Sequence, residues 1–248
     1  MSEVQLLVPA LAAFTAGMLN SVAGGGSFLS FPALIFAGVP PISANATNNA
    51  ALWVGTIGSA RGYREDVREY RSLLRPVLIA SAAGSLIGAS LLLLTPQALF
   101  VHLIPWLLLF ATMLFAVSPL LKHRPNREPG HAPWQIVAQF AVAIYGGYFG
   151  AGMGIMMLAV LAFSGLPNLN AQNAIKNVLA VVINGVAVVP FVIARIVDWR
   201  FAVPMAVLAL AGGYFGARLF RKVSQPVSRA VIIVIGVGMT MVFFARSF

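Results

Sequence analysis

A single lysine lies inside an otherwise apolar stretch of this sequence. Lys176 comes six residues into the segment that follows Gly165-Leu166-Pro167, with Asn173 and Asn177 close by. Three- and four-residue spacings place these side chains on one face of a helix. A charge inside a membrane segment is costly and by default indicates function. The alternative is a structural lysine whose ammonium extends to the membrane surface. We favour the functional interpretation.

A matching group of polar side chains lies in the first half of the chain. Asparagine dominates it, and the group surrounds three consecutive glycines, Gly24 to Gly26. Its members are Asn20, Ser27, Asn45, Thr47, Asn48 and Asn49. Asparagine in membrane bundles often does no more than form hydrogen bonds between helices. Clustering beside a glycine break favours a binding role.

These residue types suit an anion. Amide N–H groups that follow Gly26 and Gly154 would lie at helix N-termini, where unpaired donors and the helix dipole favour negative charge. Together with one lysine and several amides, they predict an anion site with no catalytic residue, cofactor or metal. The expected substrate-binding residues are Asn20, Gly24, Gly25, Gly26, Ser27, Asn45, Thr47, Asn48, Asn49, Gly152, Gly154, Asn173, Lys176 and Asn177.

No acidic residue falls within a hydrophobic segment. The six carboxylates are Glu3, Glu65, Asp66, Glu69, Glu128 and Asp198. Cation-coupled carriers commonly use intramembrane Asp or Glu, so we expect coupling through substrate protonation or the membrane potential. Neither a Ser/His/carboxylate set nor a metal cluster has suitable spacing, and the chain has no cysteine. We therefore do not expect an enzyme.

Composition places these residues in a membrane protein. Of the 248 residues, 60% are hydrophobic and 9% are charged, with a mean hydropathy of +0.90. Soluble domains carry about 25% charged residues. The net charge of +10 comes mostly from short loops, where Lys and Arg set membrane orientation, so we expect lipid rather than nucleic acid as a partner. The expected location is the inner membrane, with several membrane passes.

Hydrophobic runs predict an all-α integral membrane protein with eight to ten segments. The expected segments are 4–22, 27–38, 42–60, 72–94, 97–118, 134–151, 153–165, 170–194, 199–220 and 226–247. The second segment of each half is too short to span a bilayer alone, which indicates broken or re-entrant helices. Residues 1–121 and 134–248 form the predicted repeats, and 122–133 the basic cytoplasmic linker.

The two halves repeat one another at a spacing of 128 residues. Ala151-Gly152-Met153-Gly154 matches Ala23-Gly24-Gly25-Gly26, and the Asn173–Asn177 stretch matches Asn45–Asn49. Equivalent loops carry opposite charge bias: arginines crowd residues 61–75, whereas the basic loop of the second half is 218–229. The positive-inside rule then puts equivalent loops on opposite faces, which predicts inverted repeats. All basic loops would be cytoplasmic, and both termini would lie on the other side.

Small-residue motifs recur at equivalent positions of the two halves. Gly84-x-x-x-Gly88 and Gly212-x-x-x-Gly216 let membrane helices approach closely. We expect them to pack within the monomer. A homodimer interface is the alternative.

The glycine-rich motifs resemble those of a known family. GMLNSVAGGGSFLSFPALIFAGVPPISANATN and the weaker GYFGAGMGIMMLAVLAFSGLPNLNAQNAIKN are similar to the duplicated motif of the TauE/SafE family of sulfite and organosulfonate exporters. This resemblance covers nearly the whole chain and implies export of small sulfur-containing anions. Two features depart from the family pattern: the polar Asn45–Asn49 stretch and the eroded Gly152-Met153-Gly154.

Three functions remain in competition at this point. We favour a transporter that exports sulfite or organosulfonates and binds the anion near the membrane midplane, between the repeats. An anion channel and a membrane scaffold that transports nothing are the alternatives.

Overall fold

The computed structural model describes residues 3–22, 24–71, 74–117, 130–219 and 225–247. These residues form helices and turns, without strands. The helices of the first half are α1 Glu3–Val22, α2 Ser27–Phe36, α3 Pro41–Gly62, α4 Arg64–Glu69, α5 Leu74–Leu94 and α6 Gln97–Val117. Those of the second half are α7 Pro133–Tyr148, α8 Met153–Leu161, α9 Leu169–Ile193, α10 Trp199–Leu219 and α11 Gln225–Ser247.

The all-helical fold is confirmed, and each expected segment contains a helix among its described residues. One addition is α4, six residues of helix inside the basic stretch that was expected to be a loop. Residues 122–129 of the predicted linker lie outside the described part of the chain, as do Arg221 and Lys222. The division into two repeats and a linker therefore stays a prediction.

Four helices are long and apolar enough to cross a membrane. They are Leu74–Leu94, Gln97–Leu114, Leu169–Ile193 and Trp199–Arg218. Shorter apolar helices cover Leu6–Ser21, Ser27–Phe36 and Ile233–Ala245. Helix α3 has 22 residues but low hydropathy, because buried asparagine, threonine and serine side chains interrupt its apolar surface. A helix buried on nearly every side can carry such residues when its neighbours satisfy them.

A glycine follows the end of each short helix, α2 and α8. Gly38 and Gly165 have φ angles of +90° and +73°, a conformation that other residues rarely adopt, and each follows a short helix. After α1 the chain turns back so that Gly26 lies against the backbone of Ala16. Helices α1 and α2 therefore form a hairpin, and α7 and α8 pack together in the same way.

Helices of one half pack mainly against helices of the other. Helix α1 lies along α10, with Gly212 against Phe14 and Gly216 against Met18. Helix α5 lies along α7, where Gly88 meets the backbone of Ile144. The small-residue motifs are thus used inside the monomer, as expected.

The main hydrophobic core also joins the halves. Phe31 of α2 packs edge-on against Phe149 at a ring distance of 5.5 Å and stacks on Phe243 of α11 at 6.1 Å. Further core residues come from α1, α3, α6, α9 and α10. This shared core fixes the two helical hairpins relative to the helices that follow them.

Candidate functional site

The glycine motifs at residues 24–26 and 152–154 interrupt the helices of the two halves, and we call them the two glycine breaks. A small cavity lies where they meet. Its volume is about 30 Å³, room for a few water molecules and far below the roughly 300–1,000 Å³ of pockets for drug-sized ligands. It suits a ligand of very few atoms. None of the described residues that line it has an acidic side chain. The lining residues are Asn20, Gly24, Ser27, Asn48, Asn49, Leu52, Thr56, Phe149, Gly150, Met153, Gly154, Met157, Lys176, Asn177, Ala180 and Asn184.

The two breaks are in direct contact. A Cβ atom at Gly24 would lie 2.6 Å from the Cα of Gly154, and one at Gly154 would lie 2.7 Å from the Cα of Gly24. Only glycine at both positions allows this approach. Gly24 also has a φ angle of +82°, in the left-handed region that glycine adopts without strain.

This contact brings the N-termini of α2 and α8 to the same cavity. The main-chain amide of Gly26 donates to the Asn20 side-chain oxygen at 2.8 Å. Among the described residues, the amides of Ser27 and Gly154 have no hydrogen-bond partner. Both residues line the cavity. Two helix ends with partial positive charge therefore border one space, with N–H donors that no described residue uses.

Lys176 pairs with the C-terminal end of α1. Its side-chain nitrogen donates to the carbonyls of Asn20 at 2.8 Å and Ser21 at 3.3 Å, and to the Asn173 side-chain oxygen at 2.9 Å. Three acceptors match the three N–H groups of an ammonium. The lysine is only 1% exposed, so it does not extend to the protein surface.

Among the described residues, no lysine or arginine donates a hydrogen bond to the end of α7. The side-chain amide nitrogen of Asn45 donates to the main-chain carbonyl of Tyr148 at 2.9 Å. One turn further along α3, the side-chain oxygens of Asn48 and Asn49 are buried without a hydrogen-bond partner. These two residues are 3% and 7% exposed and line the cavity with Phe149 and Gly150.

Not every expected site residue lies on the cavity wall. Eight of the fourteen line it: Asn20, Gly24, Ser27, Asn48, Asn49, Gly154, Lys176 and Asn177. Six lie behind or beside it: Gly25, Gly26, Asn45, Thr47, Gly152 and Asn173. The Asn45 side chain donates to the Tyr148 carbonyl at the end of α7, and the Asn173 side chain accepts from Lys176.

Thr47 has a contact away from the cavity. Its hydroxyl oxygen accepts from the main-chain amide of Asp198 at 2.9 Å, which ties α3 to the start of α10. Asp198 itself pairs with Arg200 at 2.7 Å. Hydrogen bonding from that guanidinium holds the pKa of the Asp198 carboxyl below its usual value, against the opposing effect of burial.

Comparison with known proteins identifies the family. The model of the family described as "Sulfite exporter TauE/SafE" matches residues 9–243. The chain belongs to the TauE/SafE family.

Relatives named as probable membrane transporters match most of the chain. The chain is 24% identical to the "Probable membrane transporter protein ORF9" of a Sinorhizobium species, over 93% of this chain and 89% of that protein. It is 25% identical to a "Probable membrane transporter protein" of Haemophilus influenzae, over 92% and 89%. It is 28% identical to the "Probable membrane transporter protein YfcA" of Escherichia coli K12, over 92% and 85%. This TauE/SafE protein is a multi-pass membrane transporter.

Sequence reasoning missed two polar residues on the wall of the TauE/SafE cavity. Thr56 and Asn184 lie seven residues after Asn49 and Asn177, and so on the same helical faces. They are also 128 residues apart, the spacing of the repeats. Extending the polar face by two helical turns in each half would have found both. The apolar residues Leu52, Phe149, Met153, Met157 and Ala180 carried no comparable signal.

Proposed function

We propose that this protein exports small sulfur-containing anions, such as sulfite or organosulfonates, across the inner membrane. The anion would bind in the cavity near the membrane midplane, between two inverted repeats. The observation that carries the proposal is the convergence of the α2 and α8 N-termini on a cavity without carboxylates. Oxyanions are well suited to helix N-termini because amide N–H groups and the dipole act together.

Charge around the cavity supports an anionic ligand. Each helix end carries about half an elementary charge, positive at the N-terminus and negative at the C-terminus. The N-termini of α2 and α8 and the C-termini of α1 and α7 roughly cancel. Lys176 then leaves a net charge of about +1. This surplus favours an anion over a neutral substrate.

Lys176 and the amides would have different roles. All three lysine N–H groups already have acceptors, so the lysine would attract the anion through its charge rather than by direct contact. The amides of Ser27 and Gly154, which no described residue accepts from, would donate to the anion's oxygen atoms. Asn177 donates to the Ser21 carbonyl at 3.2 Å and so would act by positioning the end of α1.

Helix packing supports the repeat arrangement. If each helix is replaced by its counterpart in the other half, the α1–α10 pair becomes the α7–α5 pair. Both pairs are in contact along their small-residue motifs. The α3–α9 and α6–α11 contacts each map onto themselves. Such an exchange is what a two-fold axis between repeats produces. Inverted repeats that enclose a midplane site at broken helices are typical of secondary transporters.

Flux into proteoliposomes tests the proposal. Purified protein is reconstituted in vesicles loaded with unlabelled sulfite, and uptake of ³⁵S-sulfite is followed. A carrier gives saturable uptake with a transient overshoot above equilibrium, since internal sulfite drives exchange. Uptake should be competed by organosulfonates and unaffected by the neutral solute glycerol.

The same vesicles discriminate the alternatives. An anion channel would pass sulfite with little saturation and no overshoot. A scaffold would give no flux above protein-free vesicles. Either result would overturn the proposal of a sulfite carrier.

A further inference from the structure

The repeat places a lysine in one half where the other half has an asparagine. At the 128-residue spacing, Lys176 corresponds to Asn48, and its carbonyl partners Asn20 and Ser21 correspond to Tyr148 and Phe149. In the second half an ammonium neutralises the end of α1. Among the described residues of the first half, no cation takes that place at the end of α7, where the neutral side chain of Asn45 donates to the Tyr148 carbonyl.

The first half offers two oxygens at this place. Among the described residues, the side-chain oxygens of Asn48 and Asn49 are buried without a hydrogen-bond partner, as is that of Asn177, the second-half counterpart of Asn49. They line the cavity beside Phe149 and Gly150, the residues that follow the last turn of α7. A helix C-terminus carries partial negative charge and unpaired carbonyls. A buried acceptor without a donor is costly, about 1–3 kcal/mol per group.

We propose that a monovalent metal cation of the Na⁺ type binds here, at the position that the Lys176 ammonium has in the other half. Its ligands would be the Asn48 and Asn49 side-chain oxygens and the carbonyls at the end of α7. Hard cations take oxygen ligands, and broken-helix C-termini bind coupling ions in other transporters. The absence of carboxylates from the wall favours a single charge over Ca²⁺ or Mg²⁺.

The cation would complete the charge of the site, a step that rests on the proposed anion transport. Lys176 and the cation together bring the net charge around the cavity to about +2, which balances a doubly charged oxyanion such as sulfite. Neutral oxygen ligands would then hold the cation without an intramembrane carboxylate.

Thermal unfolding in detergent, without any anionic substrate, tests the cation site by itself. The melting temperature is measured while NaCl replaces choline chloride at constant ionic strength. A ligand that binds only the folded protein raises the melting temperature. We expect a rise of about 2–4 °C once the Na⁺ concentration is several times Kd, followed by a slow logarithmic increase.

Three variants assign that rise to the site. Asn48→Lys imitates Lys176 by placing a tethered ammonium where Na⁺ would bind, so it should abolish the response to Na⁺. Asn49→Leu should also abolish it and serves if Asn48→Lys does not fold. Gln139→Leu is the matched control: Gln139 carries a buried, unpaired amide oxygen in α7 but does not line the cavity. This variant should keep the full response.

The outcomes separate this inference from the proposed function. No response of the wild-type protein to Na⁺, or an equal response in Asn48→Lys and Asn49→Leu, overturns the cation site, whatever the sulfite flux. A Na⁺ response that both variants lose supports the site even if vesicles show no sulfite flux. In that last case the proposed anion transport fails and the cation site stands.

Discussion

The ammonium of Lys176 donates a 2.8 Å hydrogen bond to the main-chain carbonyl of Asn20, 156 residues earlier in the chain. Asn20 lies in the last turn of α1, and its side chain accepts from the amide of Gly26 just before α2 begins. One lysine of the second half therefore fixes the break between the first two helices. The hydrogen bond therefore links the position of the Lys176 charge to the geometry of the break between α1 and α2.

Lys176→Met should weaken both anion binding and folding. Methionine keeps the apolar stem but removes the charge and leaves the carbonyls of Asn20 and Ser21 without a donor. We expect sulfite affinity to fall at least about tenfold, the equivalent of 1.4 kcal/mol. Lys176→Arg should retain part of the affinity, because the charge stays while its shape changes. Equilibrium binding and melting temperature measure the two effects.

A matched variant separates the effect of the Lys176 charge from the effect of its hydrogen bonds on folding. Asn173→Leu removes one hydrogen-bond partner of Lys176 but keeps the ammonium. It should lower the melting temperature with a smaller loss of sulfite affinity. If Lys176→Met binds sulfite as well as the wild-type protein does, the lysine supports only the fold.

Gly154→Ala should abolish transport. The added Cβ would lie 2.7 Å from the Cα of Gly24, and backbone cannot yield as a flexible side chain can. The helix starts would be forced apart, with their amides displaced. Gly238→Ala in α11 is the control, since nothing lies within 4 Å of its added Cβ. That change should be neutral or stabilising by up to about 1 kcal/mol. Wild-type sulfite flux in Gly154→Ala would show that the close contact is dispensable.

The sequence predicts the helices well because their signals are local. Long apolar runs set α5, α6, α9 and α10, while Gly38 and Gly165 mark the ends of the short helices. The internal repeat also predicts that the two breaks are equivalent. Contact between Gly24 and Gly154 then follows from the need for close approach.

Side-chain direction on α3 could not be predicted in the same way. This helix is buried along most of its length, so polar and apolar residues do not alternate with the helical period. Thr47 is adjacent to Asn48 in sequence yet contacts Asp198, whereas Asn48 lines the cavity. The partners of Lys176 depend on how α1 and α9 cross, which spacing within one helix does not determine.

Thr47→Val tests that division of α3. Valine has nearly the same shape but cannot accept from the Asp198 amide. We expect a stability loss of about 1 kcal/mol and unchanged sulfite affinity, because Thr47 does not line the cavity. Thermal unfolding and sulfite binding on the same preparation check both parts. A large loss of affinity with full stability would return Thr47 to the binding site.

Stability should depend on Asp198 in a pH-dependent way. Arg200 lowers the pKa of its carboxyl in the folded protein, whereas the unfolded value is about 3.9. The stabilisation is therefore present above the unfolded-state pKa and is lost as pH falls through the lower folded-state pKa. Asp198→Asn should melt below the wild-type protein at pH 7, and the difference should vanish in acid. Glu65→Gln, at an exposed position of α4, is the control. A difference that persists unchanged at low pH would contradict the ion-pair account.

The last prediction concerns which face of the membrane α4 occupies. Arginines outnumber acidic residues between Arg61 and Arg75, so the positive-inside rule places α4 in the cytoplasm. The chain has no cysteine, and Arg68→Cys therefore introduces a unique thiol at an exposed position. A membrane-impermeant maleimide should label it only after the cells are permeabilised.

Gln97→Cys provides the matched position on the opposite face. Gln97 is also exposed and follows the far end of α5, whose 21 residues span about 30 Å, the thickness of the hydrocarbon core. This thiol should be labelled in intact cells. If Arg68→Cys were labelled in intact cells and Gln97→Cys were protected, the topology would be the reverse of the predicted one. The basic loops would then face outward, and the charge argument for inverted repeats would lose its basis.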